Sequence, residues 1–296
     1  MIQLTPEEIA EQQKNEENTK KNYITPIIQE RWGKENPDNV IMEYYFTDGR
    51  VNMDGDKVVR GEKKKADYLL LLKDNIPLAL LEAKGLHHSA MEGYKQVLAY
   101  AEILDIPFAY TTNGIDLIEE DRITHKNNDK LKMKDFPYPE ELWNRYEKEK
   151  NLTEEEVRLL NQPYYMDASK VKPKKPRYYQ RIAINRVMDA IAQGKKRMLL
   201  VMATGTGKTF TAFQIVWRLW KSKIKKKILY LVDRNALADQ TMMKDFKPFV
   251  DVGVMVKLKS ANIKKDTDYE VYTALYQQLK SKEKEYYKEL PPDFLI

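Results

Sequence analysis

Arg197-Met198-Leu199-Leu200-Val201-Met202 running into Ala203-Thr204-Gly205-Thr206-Gly207-Lys208-Thr209 is the stretch that decides the fold class. Arg197 to Met202 reads as a buried strand, and Thr209 to about Trp220 as a helix. Strand, glycine loop and helix in that order make the setting of a phosphate-binding loop. Gly205 and Gly207 let backbone N–H groups close around phosphate oxygens, with Thr204 and Thr206 before and between them, and the helix N-terminus adds a favourable dipole. Lys208 is placed to reach the β- and γ-phosphates of a nucleoside triphosphate, and the Thr209 hydroxyl to ligand Mg²⁺. The first position of G-x-x-x-x-G-K-[ST] falls on Met202 or Ala203 instead of glycine.

Outward from this loop the pattern alternates. A helix near Tyr179–Ala192 precedes the strand, Ile228–Val232 reads as a second buried strand, and another helix starts at about Ala236. Strands alternating with helices imply an α/β fold with a parallel sheet. Just upstream, Arg177-Tyr178-Tyr179-Gln180 opens a helix. The amide of Gln180 is suited to reading an adenine edge beside a stacking aromatic ring. An ordinary exposed glutamine at a helix start fits the same residues.

From about His125 to Lys175 the composition shifts to Lys, Asp and Asn, with Phe136-Pro137-Tyr138-Pro139, an acidic helix near Thr153–Leu160 and Lys172-Pro173-Lys174-Lys175-Pro176. That stretch reads as a connecting region. Before it, residues from about Thr5 to Trp32 are helical in pattern. Ala66–Leu72 and Ile76–Ala83 are apolar runs around the polar turn Lys73-Asp74-Asn75, the signature of a β-hairpin. A helix from about Ser89 to Leu104, a strand at Phe108–Thr111 and a turn at Asn113-Gly114 follow.

The hairpin carries a second constellation. Asp67 begins its first strand, and Glu82 and Lys84 sit two residues apart near the end of the second, on one face. Two carboxylates and a lysine on adjacent strands are suited to holding Mg²⁺ and activating a water for phosphodiester hydrolysis. Lys84 would orient that water or stabilise the charge of the transition state. The D-x₁₄-E-x-K spacing is short, and by itself suits a solvated strand end equally. Gln96 and Tyr100, i and i+4 on the next helix, could face the same place or simply lie on an amphipathic helix. His87-His88 is a weak metal pair, because adjacent residues point apart.

The 296 residues suffice for two domains. A net charge of +6 is compatible with a polyanionic partner without demonstrating one. With no cysteine, disulfides, thiolate metal sites and cysteine nucleophiles are excluded. The polar start lacks a secretory pattern, and the longest apolar runs fall far short of a membrane span. A soluble, cytoplasmic protein without a membrane partner is the expectation.

Taken in order, Leu81-Glu82-Ala83-Lys84, Gln96-x-x-x-Tyr100, Tyr110-Thr111-Thr112-Asn113-Gly114, Tyr178-Tyr179-Gln180, the Leu200–Thr209 loop and Leu231-Val232-Asp233-Arg234-Asn235-Ala236-Leu237 resemble the restriction (motor) subunit of type I restriction–modification enzymes, from about Asn15 to Leu279. Ala203 in place of the first glycine agrees with this, since the helicase branch of phosphate-loop proteins tolerates alanine there. The resemblance implies a PD-(D/E)xK endonuclease domain over 1–125, a connecting region over 126–175, and the first part of a RecA-like superfamily 2 helicase domain over 176–296. It implies Asp67 and Glu82 as Mg²⁺ ligands, Lys84 as the catalytic lysine, and Gln96 and Tyr100 as assistants near DNA. Glu16 or Glu17 would be the acid of the nuclease helix. Gln180 would contact adenine, Thr204 to Thr209 the phosphates of ATP and its Mg²⁺, and Leu231–Leu237 and Val271–Leu275 the DNA backbone. Duplex DNA, modification (methyltransferase) and specificity subunits are the implied partners, with S-adenosylmethionine a requirement of that assembly. No Asp-Glu-x-His segment precedes Ile296, so the resemblance also implies the N-terminal part of a longer subunit, without efficient ATP hydrolysis of its own. A helicase or remodelling motor with a non-catalytic N-terminal domain is the alternative that the residues leave open.

Overall fold

The computed structural model describes residues 11, 15–47, 51–54, 57–60, 62–73, 76–258, 268–279 and 294–295. The chain divides into two compact units, Met1–Leu152 and Thr153–Ile296. Among the described residues no helix is long and apolar enough to cross a membrane.

The first unit is built on a six-stranded sheet ordered β1 (Val40–Thr47), β4 (Lys63–Leu72), β5 (Ile76–Ala83), β6 (Phe108–Thr112), β7 (Asp116–Asp121) and β8 (Lys126–Lys132). A separate two-stranded ribbon, β2 (Val51–Asp54) and β3 (Lys57–Arg60), lies between β1 and β4 in the chain. The expected hairpin is present: β4 and β5 run antiparallel with Tyr68 opposite Leu81. Ala66 to Leu72 are buried without interruption, as strands covered on both faces require. Helix α2 (Tyr94–Leu104) packs on β5 and β6, and α3 (Pro139–Lys150) on β4 and β5. Because β5 and β6 are parallel, the chain must cross over between them, and α2 makes that crossover. Ser89 opens it with a capping box to Glu92, which satisfies the free N–H groups of the first turn. Residues 15–33 form helix α1, widened to π-helical turns over Lys20–Ile24 and Gln29–Gly33. The earlier part of the predicted N-terminal helix and the turn residues Asp74 and Asn75 lie outside the described residues.

The stretch 126–175 is divided between the units and is packed in both. β8 pairs with β7, and α3 is clamped to the sheet by Arg145, whose guanidinium donates to both Glu119 oxygens and to Asp121 Oδ2, each at 2.9 Å. Helix α4 (Glu154–Leu160) belongs to the second unit, burying Leu159 and Leu160. There the buried Arg218 donates to Leu160 O at 2.7 Å and to Asn185 Oδ1 at 2.8 Å, and Tyr165 meets Phe213 and Trp217 edge-on. Composition alone reads such a polar, proline-punctuated stretch as a linker, because its anchors are single side chains reaching residues far away in sequence.

The second unit holds a parallel sheet ordered β10 (Met255–Lys257), β11 (Val271–Leu275), β9 (Lys227–Val232) and β12 (Phe294–Leu295). Helices α5 (Tyr178–Ala192) and α6 (Lys208–Lys221) pack on each other. The expected buried strand Arg197–Met202 is not one. Residues 195–203 have no regular structure, with Leu199 90% and Val201 84% exposed. An apolar run becomes a buried strand only by pairing, and no described strand pairs with it.

Candidate nuclease and phosphate sites

Strand pairing brings the hairpin residues together. Tyr68 opposite Leu81 sets Asp67 across from Glu82, and both side chains are buried, 5% and 4% exposed. Asp67 Oδ2 accepts the Ala83 N–H at 2.8 Å, so the carboxylate is fixed by the neighbouring strand. Lys84 Nζ stands 3.8 Å from Glu82 Oε1 and donates to Gln96 Oε1 at 3.2 Å. Gln96 Nε2 donates in turn to Glu82 Oε1 and lies 3.4 Å from the Tyr100 hydroxyl. The five residues Asp67, Glu82, Lys84, Gln96 and Tyr100 therefore meet at one place, from two strands, the residue that follows the second, and one helix.

The electrostatics are those of a crowded acidic pair. Burial, and then the charge of Asp67, push the Glu82 carboxyl up to about 8 against the partial relief of Lys84 and Lys20. Burial and the Glu82 charge also raise the Tyr100 hydroxyl. Glu82 Oε2 is buried and makes no hydrogen bond. Such an orphaned oxygen is costly, and beside a second carboxylate it fits a divalent cation. Among the described residues no group of three or more His, Cys, Asp or Glu side chains converges. Two carboxylates are nonetheless enough for Mg²⁺, which commonly keeps several waters.

Two features of this site escape the sequence. Lys20, on α1, bonds Asp67 Oδ1 at 2.5 Å and Glu16 Oε1 at 2.7 Å. Burial works to lower its ammonium, but Asp67 and Glu16 together hold it above the ordinary lysine value. Of the two candidate acids on α1, Glu16 is therefore the one turned to the site, while Glu17 is exposed. In sequence the only trace is an i, i+4 Glu–Lys pair, indistinguishable from a surface helix pair. The other feature is Gly93: a Cβ there would stand 2.4 Å from Thr111 Oγ1 and 3.1 Å from Lys84 Cε. His88, by contrast, pairs with Glu92 at 3.0 Å and takes no part with His87 in a metal cluster.

In the second unit Gly205 and Gly207 adopt φ of +80° and +83°, which only glycine takes without strain, and Gly207 caps α6. Lys208 begins that helix, its Nζ 3.3 Å from Met202 O, with Thr209 half-buried and within reach of the Tyr230 hydroxyl. Thr206 Oγ1 closes the turn onto Ala203 O at 2.6 Å, and Thr204 is exposed. Exposed backbone and an unshielded lysine at a helix start suit a phosphate chain. Gln180 is buried, accepting the Arg177 N–H at 3.0 Å and donating to Thr206 O at 2.8 Å. Its amide is thus bound at both ends to backbone, joining the start of α5 to the glycine loop.

Residues 173–296 match the family described as type III restriction enzyme, res subunit. The chain is 43% identical over 267 residues to the endonuclease subunit of the type I restriction enzyme EcoAI of Escherichia coli, covering 88% of this chain and 32% of that protein. It is 37% identical to the EcoKI endonuclease subunit of Escherichia coli K12, over 46% of this chain and 12% of that one. A solved fragment assigned to the HsdR subunit of a type I restriction enzyme from Vibrio vulnificus YJ016 superposes with a TM-score of 0.72 at 38% identity, over 93% of this chain and 49% of that one. The chain thus spans about a third of the length of EcoAI's subunit.

Proposed function

We propose, from the premise that this chain is homologous over most of its length to the endonuclease subunit of type I restriction enzymes, that its first unit is the Mg²⁺-dependent nuclease, of PD-(D/E)xK type, and its second the start of the RecA-like, ATP-driven motor of such an enzyme. The observation that carries the reading is the convergence of Asp67, Glu82, Lys84 and Gln96 around the partnerless Glu82 Oε2.

Asp67 and Glu82 would hold Mg²⁺, which when bound supplies Lewis-acid polarisation of the scissile phosphate and of a water. Lys84 then does what its position allows: its ammonium, held between Glu82 and Gln96, orients a water and offers positive charge where the phosphate gains negative charge. Gln96 keeps the Glu82 carboxylate and the Lys84 ammonium in register through its two-ended amide, and Tyr100 buttresses Gln96. In the second unit Lys208, Thr209 and the 204–207 backbone would bind the phosphates of Mg²⁺·ATP, with Gln180 holding the loop and, on release of one backbone bond, reading the adenine. Duplex DNA is the substrate of both units, and methyltransferase and specificity subunits, with S-adenosylmethionine, complete the cytoplasmic assembly.

The test uses the full-length subunit assembled with its partners on supercoiled plasmid. Glu82→Ala should abolish Mg²⁺-dependent cleavage while leaving DNA-stimulated ATP hydrolysis at the wild-type rate. Cleavage that survives this substitution would reduce the hairpin to a structural element of a motor.

A further inference from the structure

We infer that Lys20 is a resident counter-cation of the nuclease site, a positioning residue that holds Asp67 in the metal-free state and must yield its contact for a divalent cation to enter. The inference rests on reading Asp67 and Glu82 as metal ligands and assigns a role to a residue outside that set.

The geometry makes Lys20 the movable member of the cluster. Asp67 has two oxygens, and both are taken: Oδ2 by the Ala83 amide at 2.8 Å and Oδ1 by Lys20 Nζ at 2.5 Å. The amide belongs to the strand that carries Glu82 and cannot leave without unpairing β4 from β5. The ammonium rides on a four-carbon stem from α1, can rotate, and is already shared with Glu16, 2.7 Å away and partly exposed. A divalent cation held by Asp67 and Glu82, whose Oε2 makes no hydrogen bond, would bring its two charges close to Lys20. At such separations like charges in a partly buried site repel strongly. Glu16 then has a defined use: it is the carboxylate onto which Lys20 retreats. The Lys20–Asp67 bond thus keeps two buried carboxylates from facing each other uncompensated when no metal is present, at the expense of metal affinity.

Mg²⁺ binding to the 296-residue chain, followed by titration calorimetry without DNA or nucleotide, tests this. Lys20→Met should tighten Mg²⁺ binding by about tenfold or more, and Lys20→Arg, which keeps the charge, should stay within about threefold of wild type. Unchanged or weaker binding by a folded Lys20→Met overturns the inference. Should that variant not fold, the wild-type chain decides: the ¹⁵N resonance of the Lys20 ammonium should shift with Mg²⁺ along the calorimetric isotherm, and a resonance that stays put overturns it. If neither wild type nor Lys20→Met releases heat with Mg²⁺, the metal-site reading itself has failed, an outcome separate from failure of the Lys20 role.

Discussion

Replacing Glu82 by glutamine should stabilise the first unit in the absence of metal, and the size of the effect can be worked out. In the folded chain burial and Asp67 push the Glu82 carboxyl up to about 8, from 4.5 for an unperturbed glutamate. A raised acid means that the folded state binds its proton more tightly than the unfolded state does. Stability is therefore full below the unfolded value and falls as pH rises between the two, at about 1.4 kcal/mol per unit. At pH 7.5 the accumulated loss is about 4 kcal/mol, and allowing half of it for local relaxation leaves about 2–4 kcal/mol. A glutamine amide in this place has no proton to lose and retains an oxygen to accept from Gln96. In EDTA, Glu82→Gln should thus exceed wild type by about 2–4 kcal/mol at pH 7.5, or about 5–10 °C in melting temperature for a unit of this size, with the gap closing toward pH 5. Urea denaturation of both proteins from pH 5 to 9 measures it, since other titrating groups cancel in the difference. Added Mg²⁺ should stabilise wild type and leave the variant unmoved. A difference that does not vary with pH, or a variant less stable than wild type at pH 7.5, would refute the electrostatic account of the site.

Further outcomes follow from single contacts. Arg145→Ala leaves Glu119 and Asp121 buried without their cation and should destabilise the first unit by about 3–5 kcal/mol in denaturant titrations. Gly93→Ala drives a methyl against Thr111 and the Lys84 stem; a stability loss of about 1–3 kcal/mol should accompany slower cleavage by the assembled enzyme with DNA binding intact. Gln180→Ala unties the glycine loop from α5, so fluorescent ATP analogues should bind more weakly to the chain. Lys208→Ala should abolish ATP hydrolysis in the assembled enzyme, and unchanged hydrolysis would remove Lys208 from the phosphate site.

What could be read from the sequence is what short-range patterning controls. The β4–β5 hairpin, the helix ending at Leu104 and the strand β9 follow from apolar runs and their spacing, and the register of the hairpin alone places Asp67 opposite Glu82. Arg197–Met202 shows the limit of that reasoning. Its composition demands burial, but burial is supplied by neighbouring strands, and the described sheet of the second unit ends elsewhere. The stretch 126–152 fails in the opposite sense: its polar residues hide the fact that Arg145 reaches back to a buried acidic pair on β7. The sequence leaves Gln180 open between an adenine contact and an ordinary exposed helix-start residue; the structure buries it and engages both ends of its amide with backbone, one of them through a bond to a residue 26 positions away that leaves no local trace. Lys20 lies 47 residues from Asp67, and nothing in its local sequence distinguishes it from its neighbour Lys21.

Charge balance connects these observations at the candidate nuclease site. Glu16, Asp67 and Glu82 could carry three negative charges between them, against two positive charges on Lys20 and Lys84. Burying an odd anion is expensive, and the smallest correction near neutral pH is a proton on Glu82, the member with the orphaned oxygen. That proton makes the metal-free cluster neutral. Entry of a divalent cation reverses the arithmetic: the proton must leave Glu82, and one surplus positive charge then remains unless Lys20 moves away from Asp67. Proton release and lysine displacement are therefore two halves of one compensation, so Mg²⁺ affinity should rise with pH up to about 8 in wild type. In Lys20→Met the cluster starts with one cation fewer and the affinity should be higher throughout that range.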